Sequence, residues 1–297
     1  MNQSNKQELI GSHYDKYLDL YEYWSGRDGG GYHFGFARHF WEVLDNARMT
    51  GNLSTQVVDQ LALDFQSPQV VLDAGCGVGH LGHLLAERFT HKNFTIHGIT
   101  LSQKQVELAN QLKKDKPYAE SLVFSRNDFE STGFPDCYFD AIYFVDAMCY
   151  GQGTQKTRVL EEAYRILKPG GTLVVVDGFF SPRNKWIDIF GAFADQRVRQ
   201  TFSVESWANP SQFLQYMQQR GFEIIRNENF SWKIAPSVLH VLAHKLPGSI
   251  MRFLRGEAEW SEVQYFYSVG VFAPLLGISP NFEYRIVVAR KRAHLNL

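Results

Sequence analysis

The stretch QVVLDAGCGVGHLGHLLAERF, residues 69–89, decides the fold of this chain. A short apolar run ends in Asp73, a glycine-rich turn follows, and apolar residues then recur at helical spacing. Glycines let the backbone turn sharply and approach a ligand closely because they carry no Cβ, and the start of the following helix offers free N–H groups. We therefore predict a strand, a helix and between them a tight ligand-binding loop formed by Gly75, Cys76, Gly77 and Gly79.

Outward from this stretch, apolar strands alternate with amphipathic helices through residues 69–180. That alternation is typical of an α/β protein whose mostly parallel sheet is covered by helices on both faces. The regions before and after the core are expected to fold over the carboxyl edge of the strands, where open α/β sheets bind ligands. The predicted division is an N-terminal helical lid (1–66), a core (67–230) with an acceptor-side loop and helix (181–209), a helical cap insertion (231–281), and a last strand with a tail (282–297).

The composition of the 297-residue chain is ordinary for a soluble protein, with 44% apolar and 21% charged residues. A formal charge of -1 gives no reason to expect nucleic acid as a partner. The longest apolar stretch, residues 265–278, is shorter than the roughly 20 residues that span a bilayer, so no stable membrane insertion is expected. Three cysteines without disulfide or metal spacing favour a reduced, cytoplasmic setting. The sequence leaves homo-oligomerisation open.

The glycine loop fits several nucleotide-binding families, and the residues after it separate them. A dinucleotide-binding loop would use Gly77, Gly79 and Gly82 and would need an acid about 20 residues further on for the ribose. Residues 88–106 contain no Asp or Glu, and the second strand instead runs into GITLSQKQ. No Gly-Lys-Ser/Thr follows the loop, which excludes a P-loop. An NAD-dependent oxidoreductase therefore stays only a remote alternative.

Three motifs in order, VLDAGCGVGHLGHLLA, GITLSQKQ and RILKPGGTL, resemble the class I S-adenosylmethionine (SAM)-dependent methyltransferases. The GITLSxxQ form is similar to the branch that includes tocopherol, sterol, cyclopropane fatty acid and terpene-diphosphate C-methyltransferases. The resemblance covers residues 69–176 closely and the final strand loosely. It implies a Rossmann-like fold with a seven-stranded, mostly parallel sheet, SAM as the methyl donor and S-adenosylhomocysteine as the product.

The resemblance also implies which residues hold the donor. Thr100, Leu101 and Gln105 would hold the ribose hydroxyls, so that a hydroxyl and an amide replace the missing acid. Asp128 would accept from the adenine amino group while Phe129 lies against the ring, although a plain strand-end turn has the same residue types. The other residues implied for the donor site are Tyr14, His33, Asp73, Gly75, Cys76, Gly77, Gly79, Asn127 and Val145. For Tyr14, a packing stripe on a helix is the simpler alternative.

The segment after the fourth strand, FVDAMCYGQ, opens at the edge of the sheet where the transferred methyl group is expected. In the resembled branch an acidic residue, commonly Glu, often stands at the position of Asp146. We take Asp146 and Tyr150 as the candidate catalytic residues, because methylation of an alkene leaves a carbocation that aromatic faces stabilise and a carboxylate can deprotonate. The alternative is a carboxylate that only orients the loop or the cofactor.

Acceptor contacts are expected from aromatic residues outside the core, whose density predicts an enclosed apolar site. The candidates are Phe179, Trp186, Phe190, Phe193, Trp260 and Tyr265. Basic residues among 183–199 either bind a diphosphate or form a solvated helix face. No metal site is predicted, because the pairs His80/His83 and His240/His244 lack a third ligand at metal-binding spacing. Mg²⁺ is expected only if the acceptor is a diphosphate.

The sequence thus favours a SAM-dependent methyltransferase that acts on a small, largely apolar acceptor, with C-methylation of an isoprenoid, terpenoid or related lipid as the first interpretation. The alternative is N- or O-methylation of an amine or hydroxyl metabolite of natural-product biosynthesis. A non-catalytic SAM-binding protein is the remaining interpretation, and the lid and the aromatic insertion speak against it.

Overall fold

The computed structural model describes residues 3–25, 31–181 and 189–293. The strands are β1 (Gln69–Ala74), β2 (Phe94–Thr100), β3 (Leu122–Arg126), β4 (Phe139–Val145), β5 (Leu167–Phe180), β6 (Phe222–Asn229) and β7 (Phe282–Lys291). They form a seven-stranded sheet in the order β3-β2-β1-β4-β5-β7-β6. The first five strands pair in parallel, whereas β7 lies antiparallel between β5 and β6. The predicted Rossmann-like α/β fold is confirmed.

The helices are α1 (Gln3–Lys16), α2 (Leu18–Ser25), α3 (Asn46–Gln60), α4 (His80–Arg88), α5 (Gln103–Lys113), α6 (Thr157–Ile166), α7 (Ile189–Phe202), α8 (Pro210–Arg220), α9 (Ser231–His240), α10 (Leu246–Leu254) and α11 (Trp260–Gly277). A π-helical turn, Val241–Lys245, joins α9 to α10, and short 3₁₀ turns lie at Phe40–Leu44, Ala119–Ser121 and Met148–Tyr150.

Local signals in the sequence explain the bounds of α8. The Asn209 side chain accepts from the backbone N–H of Gln212 at 3.2 Å, and Pro210 occupies the first turn, where no intrahelical donor is needed. Gly221 ends the helix with a left-handed φ of 108°. By contrast, β5 continues beyond the apolar run of residues 172–176, because β7 pairs with it as far as Phe180.

The sheet is buried on both faces, and alternate residues of each strand point to opposite sides. Val71, Tyr143 and Val174 belong to one core cluster, whereas Leu72, Ile142 and Leu173 belong to the other. The strand order reverses between β1 and β4, since β2 and β3 lie on one side of β1 and the later strands on the other. A crevice forms at such a switch point beyond the carboxyl ends of the strands, and this is where the glycine loop and Asp146 emerge.

The helices outside the sheet pack against one another above this crevice. A third apolar cluster joins α2, α7 and α11 through residues that include Tyr21, Ala194 and Phe266. The N-terminal helices and the helices that precede β7 therefore build one shared wall. Within the three described ranges, no helix has the length and the apolar character needed to cross a bilayer.

Candidate active site

The glycine loop after β1 has a backbone that other residues adopt only with strain. The φ angles are 85°, 55° and 79° at Gly75, Gly77 and Gly79. A Cβ on Gly75 would lie 2.4 Å from the Cβ of Ala147, closer than two carbon atoms can approach. The N–H groups of Gly75 and Cys76 donate to the carbonyl of Ile99 at 2.9 and 3.0 Å, which fastens the loop to the end of β2. The loop is thus held in one conformation.

A small cavity of about 50 Å³ lies beside this loop, and its wall includes His33, Asp73, Cys76 and Val145. Asp73 is buried, and within the described chain its Oδ2 has no hydrogen-bond partner. Burial raises the pKa of Asp73 to about 7. A buried acceptor without a partner is costly, and a donor group of a bound ligand would remove that cost. The cavity therefore fits the amino end of a small ligand.

His33 is a buried, neutral ring between this cavity and a larger one. Its Nδ1 lies 2.8 Å from the carbonyl oxygen of Phe34, and its Nε2 lies 3.5 Å from Oγ of Ser54. Burial lowers the pKa of His33 to about 4. The imidazole can therefore position a ligand by hydrogen bonding without carrying a charge near neutral pH.

The end of β2 presents the neutral pair that the sequence assigned to the ribose. Oγ1 of Thr100 donates to Oε1 of Gln105 at 2.7 Å, and both side chains are buried. Ser102 caps α5 by accepting from the backbone N–H of Gln105 at 3.1 Å. Thr100 and Gln105 are thus brought together and held by the helix start, and Leu101 lies between them in the chain. Their contact with a ribose stays a prediction.

Asp128 and Phe129 follow β3 at the same edge of the sheet. Asn127 fixes this turn, since its N–H donates to the carbonyl of Thr100 at 3.0 Å and its side chain donates to the carbonyl of Thr132 at 2.8 Å. The ring of Phe129 packs edge-on against Phe144. In this structure the Asp128 carboxylate accepts from the side-chain amide of Gln7 on α1. An amide group thus already stands where the sequence predicted an adenine amino group.

Helix α1 lies across this end of the sheet as a lid. Asp15 accepts from the Ser102 hydroxyl and from the N–H of Lys104 at the start of α5. Tyr14 donates from its hydroxyl to that of Tyr150 at 2.6 Å, and Tyr150 in turn donates to the carbonyl of Phe202 at 3.0 Å. The lid therefore places Tyr14, which was predicted to bind the donor, in contact with Tyr150, which was predicted to be catalytic.

A larger cavity of about 690 Å³ adjoins the small one, because Tyr32 and His33 line both. It lies under the lid and between β4, β5, β7, α9 and α11. The carboxyl groups in its wall belong to Asp146, Asp177 and Glu283. The aromatic residues that line it include Tyr14, Tyr21, Phe34, Tyr150, Phe202, Trp207, Trp232, Phe282 and Tyr284. An apolar cavity with a few polar groups is the usual form of a small-molecule site.

Asp146 is held at the floor of this cavity by contacts on both of its carboxylate oxygens. Oδ1 accepts from the hydroxyl of Tyr284 at 2.5 Å, and Oδ2 accepts from the N–H of Phe34 at 3.2 Å. The backbone has a φ of 49° at Asp146, and its N–H donates to the carbonyl of Val176 at 2.9 Å. Burial and the neighbouring Asp177 carboxyl raise the pKa of Asp146 to about 7. Such a carboxyl is suited to exchange a proton near neutral pH.

Sequence reasoning missed Asp177 and Tyr284, which complete this floor. Asp177 accepts from the N–H of Cys149 at 2.9 Å and from that of Gly178 at 2.7 Å, and burial raises its pKa to about 6. The strand-end pattern VVVDG could have indicated Asp177, because it repeats the FVDA pattern at the end of β4. Tyr284 gave no comparable signal, since its place depends on the pairing of β7 with Gly178 on β5.

Most of the aromatic residues predicted for the acceptor do not line this cavity. Phe179 is buried in the core against Phe213, whereas Asp177 and Gly178 of β5 line the cavity. Phe190, Phe193 and Trp260 are exposed and are not part of the cavity wall. Tyr265 stands behind the wall, where its hydroxyl donates to that of Tyr21 at 3.2 Å. Trp186 lies outside the described residues.

Two of the basic residues considered for a diphosphate, Arg197 and Arg199, contact other parts of the protein. Arg199 pairs with Asp195 at 3.0 Å, and the Arg197 guanidinium lies 5.2 Å from the ring centroid of Phe193. Arg183 and Lys185 are outside the described residues. Within the described ranges, no group of three or more His, Cys, Asp or Glu side chains is arranged to hold a metal ion.

Comparison with known proteins identifies the domain. Residues 71–171 match the family described as a methyltransferase domain. Sterol 24-C-methyltransferase of Neurospora crassa is 27% identical over 228 residues, which make up 75% of this chain and 55% of that protein. The 27-O-demethylrifamycin SV methyltransferase of Amycolatopsis mediterranei is 27% identical over 232 residues, 77% of this chain and 78% of that protein. The chain spans little more than half the length of the sterol methyltransferases that it matches.

Among solved structures, the cyclopropane synthase MmaA2 from Mycobacterium tuberculosis superposes with a TM-score of 0.79 at 17% identity, over 96% of this chain and 98% of that one. At 17% sequence identity, this similarity shows a shared fold and nothing about the substrate. The matched residues 71–171 lie within this fold, so the chain contains a methyltransferase domain, and it is similar to the class I SAM-dependent methyltransferases of the small-molecule branch.

Proposed function

We propose that this protein transfers a methyl group from SAM to a carbon atom of a small, uncharged, largely apolar acceptor, with an isoprenoid or related lipid as the acceptor class. The observation that carries the proposal is the junction of the two cavities. The glycine loop and the buried Asp73 stand on one side of the Tyr32–His33 wall, and an aromatic cavity with buried carboxyls stands on the other.

The residues of the small cavity and its surroundings fit SAM. The unpartnered Oδ2 of Asp73 would accept from the ammonium group, and the close-approach loop around Gly75 would receive the amino-acid portion. Thr100 and Gln105 would hold the ribose hydroxyls, with Phe129 against the adenine. The side chain of Gln7 would have to leave Asp128 for the adenine amino group to take its place. When bound, the sulfonium supplies an electrophilic methyl carbon.

The charges of the larger cavity favour a neutral acceptor and disfavour a diphosphate. The titratable acids that the described chain contributes to the wall are Asp146, Asp177 and Glu283, of which Glu283 is ion-paired with Arg285 at 2.5 Å. An anionic substrate would meet repulsion at a site of low dielectric, where charges are weakly screened. Aromatic faces and carboxylates instead stabilise positive charge that develops on the acceptor. Because the proposed acceptor carries no diphosphate, the proposed reaction needs no Mg²⁺.

The chemistry assigned to the chain is positioning followed by removal of a proton. The π electrons of an acceptor double bond would form the new carbon–carbon bond as the bond from the methyl carbon to the donor sulfur breaks, with the electron pair of that bond left on sulfur. The acceptor carbon next to the new bond would then carry the positive charge. The Asp146 carboxylate then takes a proton from an adjacent carbon, and the electrons of that C–H bond restore a double bond. Tyr284 holds the carboxylate, and the aromatic lining of the cavity limits the access of water to the cation.

Methylation of an acceptor hydroxyl is the second candidate, because Asp146 can equally accept a proton from an oxygen atom and one relative is named as a methyltransferase of a rifamycin oxygen. In that reaction the acceptor oxygen would bond to the methyl carbon as its proton passes to the carboxylate. The two candidates differ in the atom that gains the methyl group.

The proposal is tested by incubating the protein with SAM that carries a deuterated methyl group and a panel of prenyl alcohols, sterols, fatty acids, phenols and prenyl diphosphates. Mass detection follows the gain of one labelled methyl, and fragmentation locates it on carbon or oxygen. A labelled neutral alkene is expected. Preferential labelling of a prenyl diphosphate would contradict the charge argument, and labelling at oxygen would favour the second candidate.

A further inference from the structure

We propose that an exposed apolar and basic face at the mouth of the larger cavity docks the protein on the surface of an anionic lipid bilayer. The inference rests on the proposed function in one respect, since an apolar acceptor is most concentrated in a bilayer. The docking face consists of the side chains of Arg38, Phe40, Trp41, Leu44, Trp232, Lys233 and Ile278.

The apolar members of the docking face are unusually exposed for their size. Phe40 and Trp41 are each 67% exposed, Leu44 is 72%, Ile278 is 74% and Trp232 is 85% exposed. Single exposed apolar residues are common on soluble proteins, but a group of large ones marks an interaction site. Trp in particular prefers the interface between water and the acyl chains of a bilayer.

Backbone contacts bring the two elements that carry these residues together. At one end, the N–H of Ala37 donates to the carbonyl of Lys233 at 2.7 Å. At the other end, Nδ1 of His240 lies 2.7 Å from the carbonyl oxygen of Val43. The turn Phe40–Leu44 therefore runs alongside α9, the helix that carries Trp232 and Lys233.

The docking face is continuous with the cavity. Trp232 and Ile278 are exposed on the surface and at the same time line the cavity wall. The mouth of the cavity thus opens between residues of the docking face. An acceptor could pass from a bilayer into the cavity there without crossing water, which is the arrangement that a poorly soluble substrate requires.

The charge of the docking face suits anionic lipids. Arg38 and Lys233 are exposed, the Nζ of Lys233 lies 3.4 Å from the Arg38 carbonyl oxygen, and neither side chain has an ion-pair partner among the described residues. The one exposed acid on this segment, Asp45, caps α3 by accepting from the N–H of Arg48 at 2.9 Å. Basic side chains beside exposed aromatic residues are the usual composition of a surface that binds a negatively charged bilayer.

Sedimentation of the whole protein with vesicles tests this inference. Vesicles of phosphatidylcholine with one quarter phosphatidylserine should bind the protein, and pure phosphatidylcholine should bind it more weakly. The variant Trp41→Ser/Trp232→Ser should lose at least about tenfold in affinity, because it removes two interfacial anchors. Arg38→Glu/Lys233→Glu should lose about fivefold for each charge removed on the anionic vesicles.

Trp260→Ser is the matched control, since Trp260 is also exposed but starts α11 at the end remote from Ile278, about 27 Å away along the helix. It should bind vesicles like the wild type. S-adenosylhomocysteine binding by every variant reports folding and tests the proposed function separately. Absence of vesicle binding by a wild type that binds S-adenosylhomocysteine would overturn the docking face alone. A self-association that the two Trp substitutions abolish, without vesicle binding, would overturn it in favour of a second copy of the chain.

Discussion

Asp146 combines a strained backbone with a fixed carboxyl group. Its φ of 49° is uncommon for a residue that has a Cβ, and such strain concentrates at functional sites. Tyr284 and the N–H of Phe34 hold the two oxygens, so the carboxyl group has its orientation before an acceptor arrives. This fixed orientation is what a proton acceptor needs, because proton transfer depends on distance and alignment.

Replacing Asp146→Asn should lower kcat by about 10²–10⁴-fold, the usual effect of removing a general base. Binding of S-adenosylhomocysteine should not change, since Asp146 faces the acceptor. Tyr284→Phe is the matched variant, as it removes one hydrogen bond and keeps the carboxyl, and it should show a smaller loss. Rates come from product formation under mass detection. Wild-type turnover by the Asn variant would mean that Asp146 only orients the loop.

The raised pKa of Asp146 gives the reaction a predictable pH dependence. With a pKa of about 7, the carboxyl is a base only at higher pH, so kcat should rise as the pH passes through 7. The free energy of unfolding should change in the opposite direction and decrease as the pH rises. An unfolded Asp titrates near pH ~4, so the cost of ionising the buried group is absent below that pH and complete above about 7. Wild-type stability to urea should therefore fall over this window, and that of Asp146→Asn should fall less.

Gly75→Ala should abolish binding of S-adenosylhomocysteine and destabilise the protein. A left-handed backbone costs roughly 1–2 kcal/mol for an alanine, and here the added Cβ would also clash with Ala147 at 2.4 Å. Gly153→Ala is the matched control, because Gly153 has a φ of 69° but open space around it. Urea denaturation and calorimetry separate the two effects. Equal losses for the two variants would show that backbone strain alone, and not the close approach, matters at Gly75.

Several residues of the site were predictable from the sequence, and the reason is their position at strand ends. The glycine loop, Thr100 and Asp146 follow strands that the apolar pattern located, so they had to meet at one edge of the sheet. Phe179, which the sequence predicted for the acceptor, belongs to a core cluster and packs against Phe213, so it does not line this cavity. It is Gly178 and Asp177 that line the cavity.

At the scale of elements, α1 closes the donor side through polar contacts at both of its ends. Gln7 meets Asp128 near the start, and Asp15 meets Ser102 and the N–H of Lys104 near the end. Since polar contacts of a partly exposed helix are individually weak, the lid is expected to open for the donor to enter. Helix α1 therefore contacts the residues predicted to hold the donor and, through Tyr14, also lines the larger cavity.

Asp15→Ala should loosen this lid. Proteolysis should cut the N-terminal segment faster in the variant, and S-adenosylhomocysteine should dissociate faster, with little change in the unfolding midpoint of the core. Asp19→Ala is the matched control, because Asp19 is an exposed acid on α2. Identical protease sensitivity of the Asp15 variant and the wild type would contradict a lid held by the Asp15 contacts.

Elements of the core could be predicted closely, whereas their extensions could not. Strands β1 to β4 and helix α8 have local signals in apolar runs, caps and glycine stops. The extra length of β5 depends on its pairing with β7, a strand more than a hundred residues later. Local propensity carries no information on such pairing. For the same reason, the sequence did not indicate that Tyr284 would lie beside Asp146.

At the scale of the whole molecule, the cavity exists because three additions meet above the sheet. The lid, α7 and the helices before β7 share one apolar cluster, and none of them could bury its apolar face alone. Their aromatic residues form a wall on one side and a core on the other. This explains why the aromatic excess in the sequence predicted an acceptor cavity but did not identify which residues line it.

Ala273→Phe should fill part of this cavity. Ala273 lines it from α11, so a benzyl group would take space from the acceptor and raise KM for larger acceptors more than for smaller ones. Binding of S-adenosylhomocysteine should stay at the wild-type level. Ala47→Phe, on the exposed face of α3, is the control for the chemical change. An unchanged KM for every acceptor would place the acceptor site outside this cavity.

The most direct test of the central claim is a calorimetric titration of the whole protein with S-adenosylhomocysteine and, in parallel, with NAD. The glycine loop, the unpartnered Asp73 and the Thr100–Gln105 pair predict micromolar binding of S-adenosylhomocysteine and none of NAD. Binding of NAD without binding of S-adenosylhomocysteine would contradict the assignment of the donor site, and the proposed methyl transfer with it.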